Sequence, residues 1–294
     1  MKIDISVALT VYNGELYLAK QLQSIKDQEL QPIEIVIVDD VSSDGSDELI
    51  RNFDFGPIKC RYYKNEVNLG PVANFKKAIG LCNGSFIALC DQDDIWLPHK
   101  IKRLYEANLL KNQLKPVVSF SDASFIDSDD TFIAKSIYRD VWRTKPWRYG
   151  FKMLLVDNAV IGCSSLINSK MKDEVMKMPV TGVMMHDHWI ALIGNSFGEA
   201  IFVNEPLLLY RSHSGSVTVK VPLKGIIAKF RAELEQKQGY FSQNILQAKL
   251  FSDTYQTDLN PAHLKILNKF INLEKQPFIV KRLYTKFLRM YSNR

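Results

Sequence analysis

Only four cysteines occur in the chain, Cys60, Cys82, Cys90 and Cys163, and no two of them form a CxxC pair. That spacing excludes a cysteine-rich zinc module and a disulfide framework, so the four read as reduced, small apolar residues. The histidines, His99, His186, His188, His213 and His263, are too dispersed for a zinc pattern. No apolar run approaches the ~20 residues that span a bilayer. Met1-Lys2-Ile3-Asp4-Ile5 enters a strand pattern directly, with no apolar leader core and no cleavage site. The expectation is a cytoplasmic protein, or one peripheral at the inner face of the cytoplasmic membrane. Internal repeats and low-complexity tracts are lacking too, and Thr10-Val11-Tyr12-Asn13-Gly14 supplies no Gly-rich triphosphate loop.

Net charge is scarce outside one segment. The net charge is +6, and residues 275–294 hold six basic residues and no acid, so the body is close to neutral. Nucleic acid is therefore not an expected partner. A hydrophobic fraction of 46% and a charged fraction of 24% describe an ordinary globular protein. The length of 294 residues holds one large α/β domain with an extension, or two domains.

The first half alternates strand and helix patterns at short intervals, which predicts βαβ units and a mostly parallel sheet. Strands are expected at Ile5 to Val11, Ile33 to Val38, Ile58 to Tyr63, Ser85 to Leu89 and Val117 to Ser121. Between them fall helices at Glu15 to Lys26, with Leu16, Leu18, Leu22 and Ile25 inward, from Asp44 through Ile50, at Val72 to Leu81, and from Pro98 to about Lys111. Later strands are expected at Ile161 to Ile167, Ile201 to Val203 and Leu207 to Tyr210, with a helix at His186 to Ile193. From Leu223 onward the pattern is helical, which places a body at 1–218 and a helical extension at 219–294. Residues 122–152 are irregular. Tyr138, Trp142, Trp147 and Tyr149 alternate there with Arg139, Arg143 and Arg148, a composition that suits stacking on a sugar or base, or a loop packed over the sheet.

The most informative residues are Cys90-Asp91-Gln92-Asp93-Asp94-Ile95, where an apolar strand stops in three carboxylates. Strand carboxyl ends are where open α/β sheets bind ligands. Clustered carboxylates repel one another. A divalent cation shared with a phosphate-bearing substrate resolves that conflict; the bland alternative is a solvated turn before a helix. Asp39-Asp40 and Thr10-Val11-Tyr12-Asn13 end two neighbouring strands, so three strand ends present polar groups to one crevice.

Val38-Asp39-Asp40-Val41-Ser42-Ser43-Asp44-Gly45-Ser46, Thr10 to Gly14 and Asp91 to Pro98 together resemble family 2 glycosyltransferases of the GT-A fold. Asn68-Leu69-Gly70-Pro71-Val72-Ala73-Asn74-Phe75, His186-Asp187-His188-Trp189-Ile190-Ala191-Leu192 and Leu209-Tyr210-Arg211-Ser212-His213 extend the resemblance to a rhamnosyltransferase-like subgroup that builds bacterial surface polysaccharide. It covers about residues 3 to 215 in order. The implied fold is α/β, a Rossmann-like GT-A sheet flanked by helices, with a C-terminal helical extension.

The resemblance also implies roles. Asp39 and Asp40 would recognise the base and ribose of a dTDP- or UDP-linked sugar, within a nucleotide site that also holds Thr10, Tyr12, Asn13, Asn68, Gly70 and Asn74. Asp93, with Asp91, would hold Mn2+ or Mg2+, and Asp91 would orient ribose or a metal-bound water. Asp187 would be the general base of an inverting transfer to a glycan or lipid-linked acceptor, and Arg211 and His213 would close on the leaving diphosphate. One departure stands out: His186-Asp187 replaces the acidic pair of many relatives. A non-catalytic relative that only binds nucleotide sugar or glycan would be expected to lose Asp93 or Asp187, and both are present. The tail after Pro277 has a stripe of Leu283, Phe287, Met290 and Tyr291 set among basic residues. Such a helix lies on an anionic membrane surface, or packs its stripe on the body.

Overall fold

The computed structural model describes residues 4–212 and 226–277 together with 280, 281, 283 and 284, with side chains omitted for 226–240. The N-terminal half consists of β1 (Ile5–Val11), α1 (Glu15–Lys26), β2 (Glu34–Asp39), α2 (Ser46–Asn52), β3 (Lys59–Lys64), α3 (Gly70–Leu81), β4 (Phe86–Cys90), β5 (Ile95–Trp96) and α4 (Lys100–Leu109). Then follow β6 (Val117–Ile126), β7 (Phe132–Ala134), α5 (Phe151–Leu154), β8 (Ser165–Asn168), α6 (Ser169–Val175), α7 (His186–Ser196), β9 (Glu199–Arg211), α8 (Ile226–Tyr255) and α9 (Pro261–Ile271).

All nine strands join one sheet in the order β3-β2-β1-β4-β8-β6-β9-β5, with β7 on β6. The expected parallel pairing holds for β3-β2-β1-β4 and again for β6 with β9. β8 runs antiparallel to both β4 and β6 and welds the two parallel groups together. β2 and β4 are buried along their whole length, as sheets covered on both faces require. The outer strand β3 is half-exposed and carries Lys59, Arg61 and Lys64, charges that discourage edge-to-edge pairing. In consequence the carboxyl ends of β2, β1 and β4 lie side by side, each ending in a polar loop.

Four expectations change. Leu16 points to solvent at 84% exposed, because the buried stripe of α1 is Leu18, Gln21, Leu22 and Ile25 and Leu16 falls off it. The strand expected from Ile161 begins only at Ser165; a 3-10 turn at Gly162–Ser164 precedes it and frees the Gly162 N–H from the ladder. The strand expected to end at Ser121 continues to Ile126. The two short strands expected at 201–203 and 207–210 are one strand, β9, whose register against β6 shifts near Asp122 to absorb a bulge.

The helices after 226 share the core of the body. Phe241, Ile245, Ala248, Phe251 and Tyr255 are buried in one apolar cluster with Trp189 of α7. Tyr255 donates to Glu174 O at 2.9 Å, and Asn244 Nδ2 to Leu155 O at 2.8 Å. Among the described residues no helix is long and apolar enough to cross a membrane. Most of the basic tail, and His213, lie outside the described residues.

Gly198 sits where α7 turns into β9, and a Cβ there would lie 2.4 Å from Pro116 O. That neighbour is backbone and cannot step aside. Gly198→Ala is expected to lower stability by ~1–3 kcal/mol in urea unfolding. Gly150→Ala, at a glycine with nothing within 4 Å, should leave it nearly unchanged. Equal effects would mean that the α7–β9 corner is looser than this packing.

Candidate active site

The loops after β1 and β2 cap each other's helices. Asp44 accepts from the Glu15 N–H at 3.0 Å and the Ser46 N–H at 3.1 Å, while Glu15 accepts from the Gly45 N–H at 2.9 Å. Ser42 and Ser46 hydroxyls accept from the N–H groups of Asn13 and Gly14, both at 2.9 Å, and Asn13 Oδ1 accepts from Ser43 N at 2.9 Å. Carboxylates placed this way satisfy the free N–H groups of the first helical turns and oppose their partial positive charge. Asn13 and Val41 adopt left-handed φ of 49° and 67°, a strain the cross-bonding holds in place. Tyr12 is 52% exposed and Thr10 half-buried at the end of β1.

Asp39 and Asp40, expected to reach the base and ribose, are instead 0% and 3% exposed. Asp39 accepts from Ser42 N at 2.7 Å, and the Tyr62 hydroxyl shares its proton between Asp39 at 2.9 Å and Asp47. Asp40 accepts from Leu69 N and Gly70 N, both at 2.8 Å, and from Asn65 Nδ2 at 2.7 Å. Asn74 joins the same network, accepting from Asn65 at 2.9 Å and donating to Val38 O at 3.0 Å. Asn68 Oδ1 accepts from Gly70 N at 3.1 Å, and the φ of +76° at Gly70 explains the glycine. These carboxylates hold the wall; they do not form its surface. An enclosed carboxylate takes N–H or O–H partners from its own fold, as both do here.

β4 ends in the acidic run. Gln92 pairs with both backbone groups of Tyr12, accepting from N at 2.8 Å and donating to O at 3.0 Å, and so ties this run to the end of β1. Burial, and then the charges of Asp93, Asp94 and Asp187, push Asp91 well above the usual carboxylate range. Burial and the Asp93 charge lift Asp94 to about 7, against the opposing pull of the Cys163 thiol and the Arg211 N–H. One compensating cation is Lys100. It is wholly buried, donates to Cys163 O at 2.5 Å and lies 3.3 Å from the centroid of the Trp96 ring. Burial lowers its own pKa to about 8 although the surrounding acids favour its charge.

Ligand atoms of Asp91, Asp94 and Cys163 lie within 4.8 Å of one another. The Cys163 thiol is pushed well above its usual value by burial and by the two acids, so it stays protonated and bonds to Asp94. Only a thiolate ligates metal. Asp94 Oδ2 and Asp187 Oδ1 are buried without a partner among the described residues, a sign of uncompensated negative charge. Asp91 and Asp93 are part-exposed at the rim, offer hard oxygen ligands and fit Mn2+ or Mg2+.

Arg211, expected at the leaving diphosphate, is buried beneath this run with its side chain 0% exposed. Its guanidinium donates to Asp93 O at 2.7 Å and Asp127 O at 3.1 Å, pairs with Asp130 and covers the Tyr17 ring at 4.5 Å. Its backbone N–H donates to Asp94 at 3.1 Å. Arg211 therefore holds the acidic loop from below.

Asp187 opens α7 across the crevice. It accepts from the Gly162 N–H at 3.0 Å, and burial lifts its pKa to about 6 despite bonds from Gly162, His188 N and Asn158. Its charge also raises Asp91. The flanking histidines pack. His186 stacks on Phe75 with centroids 3.8 Å apart and is lowered by burial to about 3; His188 lies 2.5 Å from Leu154 O and is lowered to about 4. Both are neutral at neutral pH. Gly162 must be small, since a Cβ would lie 2.9 Å from His186 Nε2.

Sequence reasoning missed Gln92, Lys100, Gly162 and Cys163. Gln92 lay in plain view inside the acidic motif, whereas a lysine two residues after Pro98 reads as an ordinary surface residue of a first helical turn. Lys100→Met, which keeps the contact with Trp96 and removes the charge, is expected to cost ~3–5 kcal/mol in urea unfolding, as when one partner of a buried charge network is lost. An unchanged or raised stability would mean that the carboxylates above it are neutral in the folded protein.

The sequence pattern described as glycosyl transferase family 2 matches residues 6–166, more than half of the chain. The chain is 26% identical over 274 residues to the abequosyltransferase RfbV of Salmonella typhimurium, covering 85% of this chain and 79% of that protein. It is 25% identical over 215 residues to the putative teichuronic acid biosynthesis glycosyltransferase TuaG of Bacillus subtilis, covering 73% and 81%. Among solved structures, S. aureus TarS 1-349 in complex with UDP-GlcNAc matches with a TM-score of 0.60 at 17% identity, over 92% of this chain and 72% of that one. The mannosyltransferase PcManGT from Pyrobaculum calidifontis, in complex with GDP-Man and Mn2+, matches with a TM-score of 0.54 at 14% identity, over 99% and 84%. At those identities the structures speak for the fold alone, and that fold is GT-A. With the fold, the family pattern and the curated relatives in agreement, the chain belongs to glycosyl transferase family 2.

Proposed function

We propose that this glycosyltransferase moves a hexose or deoxyhexose from a dTDP- or UDP-linked donor to a glycan or lipid-linked glycan, with inversion at C1, in the building of a bacterial surface polysaccharide. The observation that supports the reading is Asp187, a carboxylate lifted to about 6 by burial whose charge acts on Asp91 at the acidic end of β4. The names of the relatives RfbV and TuaG support the process. Neighbouring structures that hold UDP-GlcNAc or GDP-Man support the class of donor.

In this reading the nucleoside lies against the wall built by the loops after β1 and β2, with Thr10, Tyr12 and Asn13 at its surface and Asp39, Asp40, Asn68, Gly70 and Asn74 bracing it. Mn2+ or Mg2+ held by Asp91 and Asp93 would neutralise charge on the diphosphate. Asp187 takes the proton of the acceptor hydroxyl. The acceptor oxygen then forms its bond to C1 as the C1–O bond to the diphosphate breaks, and the electron pair leaves with the nucleoside diphosphate. Gly162 fixes one Asp187 oxygen through its N–H. Arg211 keeps the acidic loop in place, and His213 remains a candidate for the leaving group's cover. A lipid-linked acceptor would bring the basic tail at 275–294 to the inner face of the cytoplasmic membrane.

Asp187→Asn is expected to lower kcat by at least ~10²-fold while donor affinity and melting temperature stay near wild type. Reaction needs the carboxylate, so wild-type kcat/KM should fall with decreasing pH below about 6, about tenfold for each pH step. The variant should lose that limb. A destabilised variant with wild-type kcat, or a wild-type profile without the limb, would remove Asp187 from the chemistry.

A further inference from the structure

Beyond the catalytic crevice a cavity of about 580 Å³ opens between β9 and the segment 135–147. It sits at the β9 bulge, where the register between Asp122 and Pro206 slips and Asn204 turns outward. Bulges of this kind re-aim side chains beside active sites. Lys135, Arg139, Arg143 and Lys145 line the cavity. Arg139 is paired with Asp140, but no carboxylate among the described residues lies within ion-pair distance of Lys135, Arg143 or Lys145. Arg143 is held in a left-handed conformation with φ 54° at the end of the one-turn helix Ile137–Trp142, an unfavourable backbone for a side chain of that size.

The other lining is aromatic. Trp147 is 57% exposed and lies flat on Phe202, with centroids 5.5 Å apart and planes 26° apart. Tyr138 meets Phe202 edge-on at 5.4 Å. At the base, Asp122 is already bonded to Ser136 Oγ at 2.5 Å and Ala123 N at 2.8 Å. Tyr138 forms one wall of the cavity. Its hydroxyl donates to Ala159 O at 2.6 Å, and it feels the charges of both Asp122 and Asp187.

We propose that this cavity is an acceptor subsite for an anionic sugar, one bearing a phosphate or a carboxylate, stacked on Trp147 and held at its charge by Arg143, Lys145 and Lys135. An aromatic face takes the apolar side of a pyranose, and a guanidinium binds phosphate or carboxylate through paired N–H groups. A lone loop packed over the sheet would need the aromatics but not the cluster of unpaired cations around them. The volume falls in the ordinary range for small-ligand sites, about 300–1,000 Å³. The inference rests on the glycosyltransferase reading, since it assigns the cavity to the acceptor side of that reaction.

The test titrates the full chain with glucose 6-phosphate, glucuronate, glucose and inorganic phosphate, following tryptophan fluorescence and heat. The two sugar acids should bind at least ~10-fold more tightly than glucose and than phosphate. Arg143→Gly, which suits the left-handed backbone, combined with Lys145→Ala should weaken them by at least ~10-fold. Trp147→Ala should weaken the sugar acids but not inorganic phosphate. Whichever of the two sugar acids binds more tightly identifies the anion. UDP binding with Mn2+ is measured on the same samples and should be unchanged in all variants. Equal binding of glucose and its phosphate, or sugar-acid binding that survives the variants, would overturn the subsite. Absence of UDP binding in the wild type would instead overturn the glycosyltransferase reading.

Discussion

The site depends on one electrostatic conflict, the crowding of Asp91, Asp93 and Asp94 at the end of a buried strand. Burial and mutual repulsion favour the neutral acids, as the raised Asp91 and Asp94 show. The fold answers from below with Lys100, the Cys163 thiol and the Arg211 backbone N–H. All three address the buried Asp94 or its surroundings, while Asp91 and Asp93 lie part-exposed at the rim. A lysine stripped of water loses much of its preference for charge, so Lys100 only partly compensates the cluster.

Rigidity at the strand ends follows from reciprocity. Asp44 serves the helix on its own side and the one after β1, Glu15 returns the favour to Gly45, and Gln92 ties both to the acidic run. Each loop is therefore fixed by its neighbour's side chains and not by its own sequence alone. The same economy places Asp187, because the 3-10 turn that withdraws Gly162 from β8 also points its N–H at the carboxylate.

Much of this was legible from residue order. Alternating strands and helices put the ends of β1, β2 and β4 together, and the sheet has these strands side by side. The family resemblance added Asp187, which no local pattern distinguishes from an ordinary helix-start charge. What stayed hidden was side-chain direction. Asp39, Asp40 and Arg211 carry the right chemistry for a ligand, yet each is turned inward by partners far away in sequence: Tyr62, Gly70, and Asp93 with Asp130. The strand at 165–168 was anticipated, but its antiparallel place between β4 and β6 was hidden, because pairing between distant strands leaves no trace in residue order. Lys100 and Cys163 matter only through what they touch, and that contact is long-range.

The central claim is that the acidic end of β4 binds a nucleoside diphosphate together with a divalent cation. Calorimetric titration of UDP in the presence of Mn2+ and then of chelator, on wild type and Asp93→Asn, addresses it directly. Affinity should be at least ~10-fold higher with Mn2+, and Asp93→Asn should lose that increment while keeping the chelator value. Equal UDP affinity with metal and with chelator in the wild type would contradict the account.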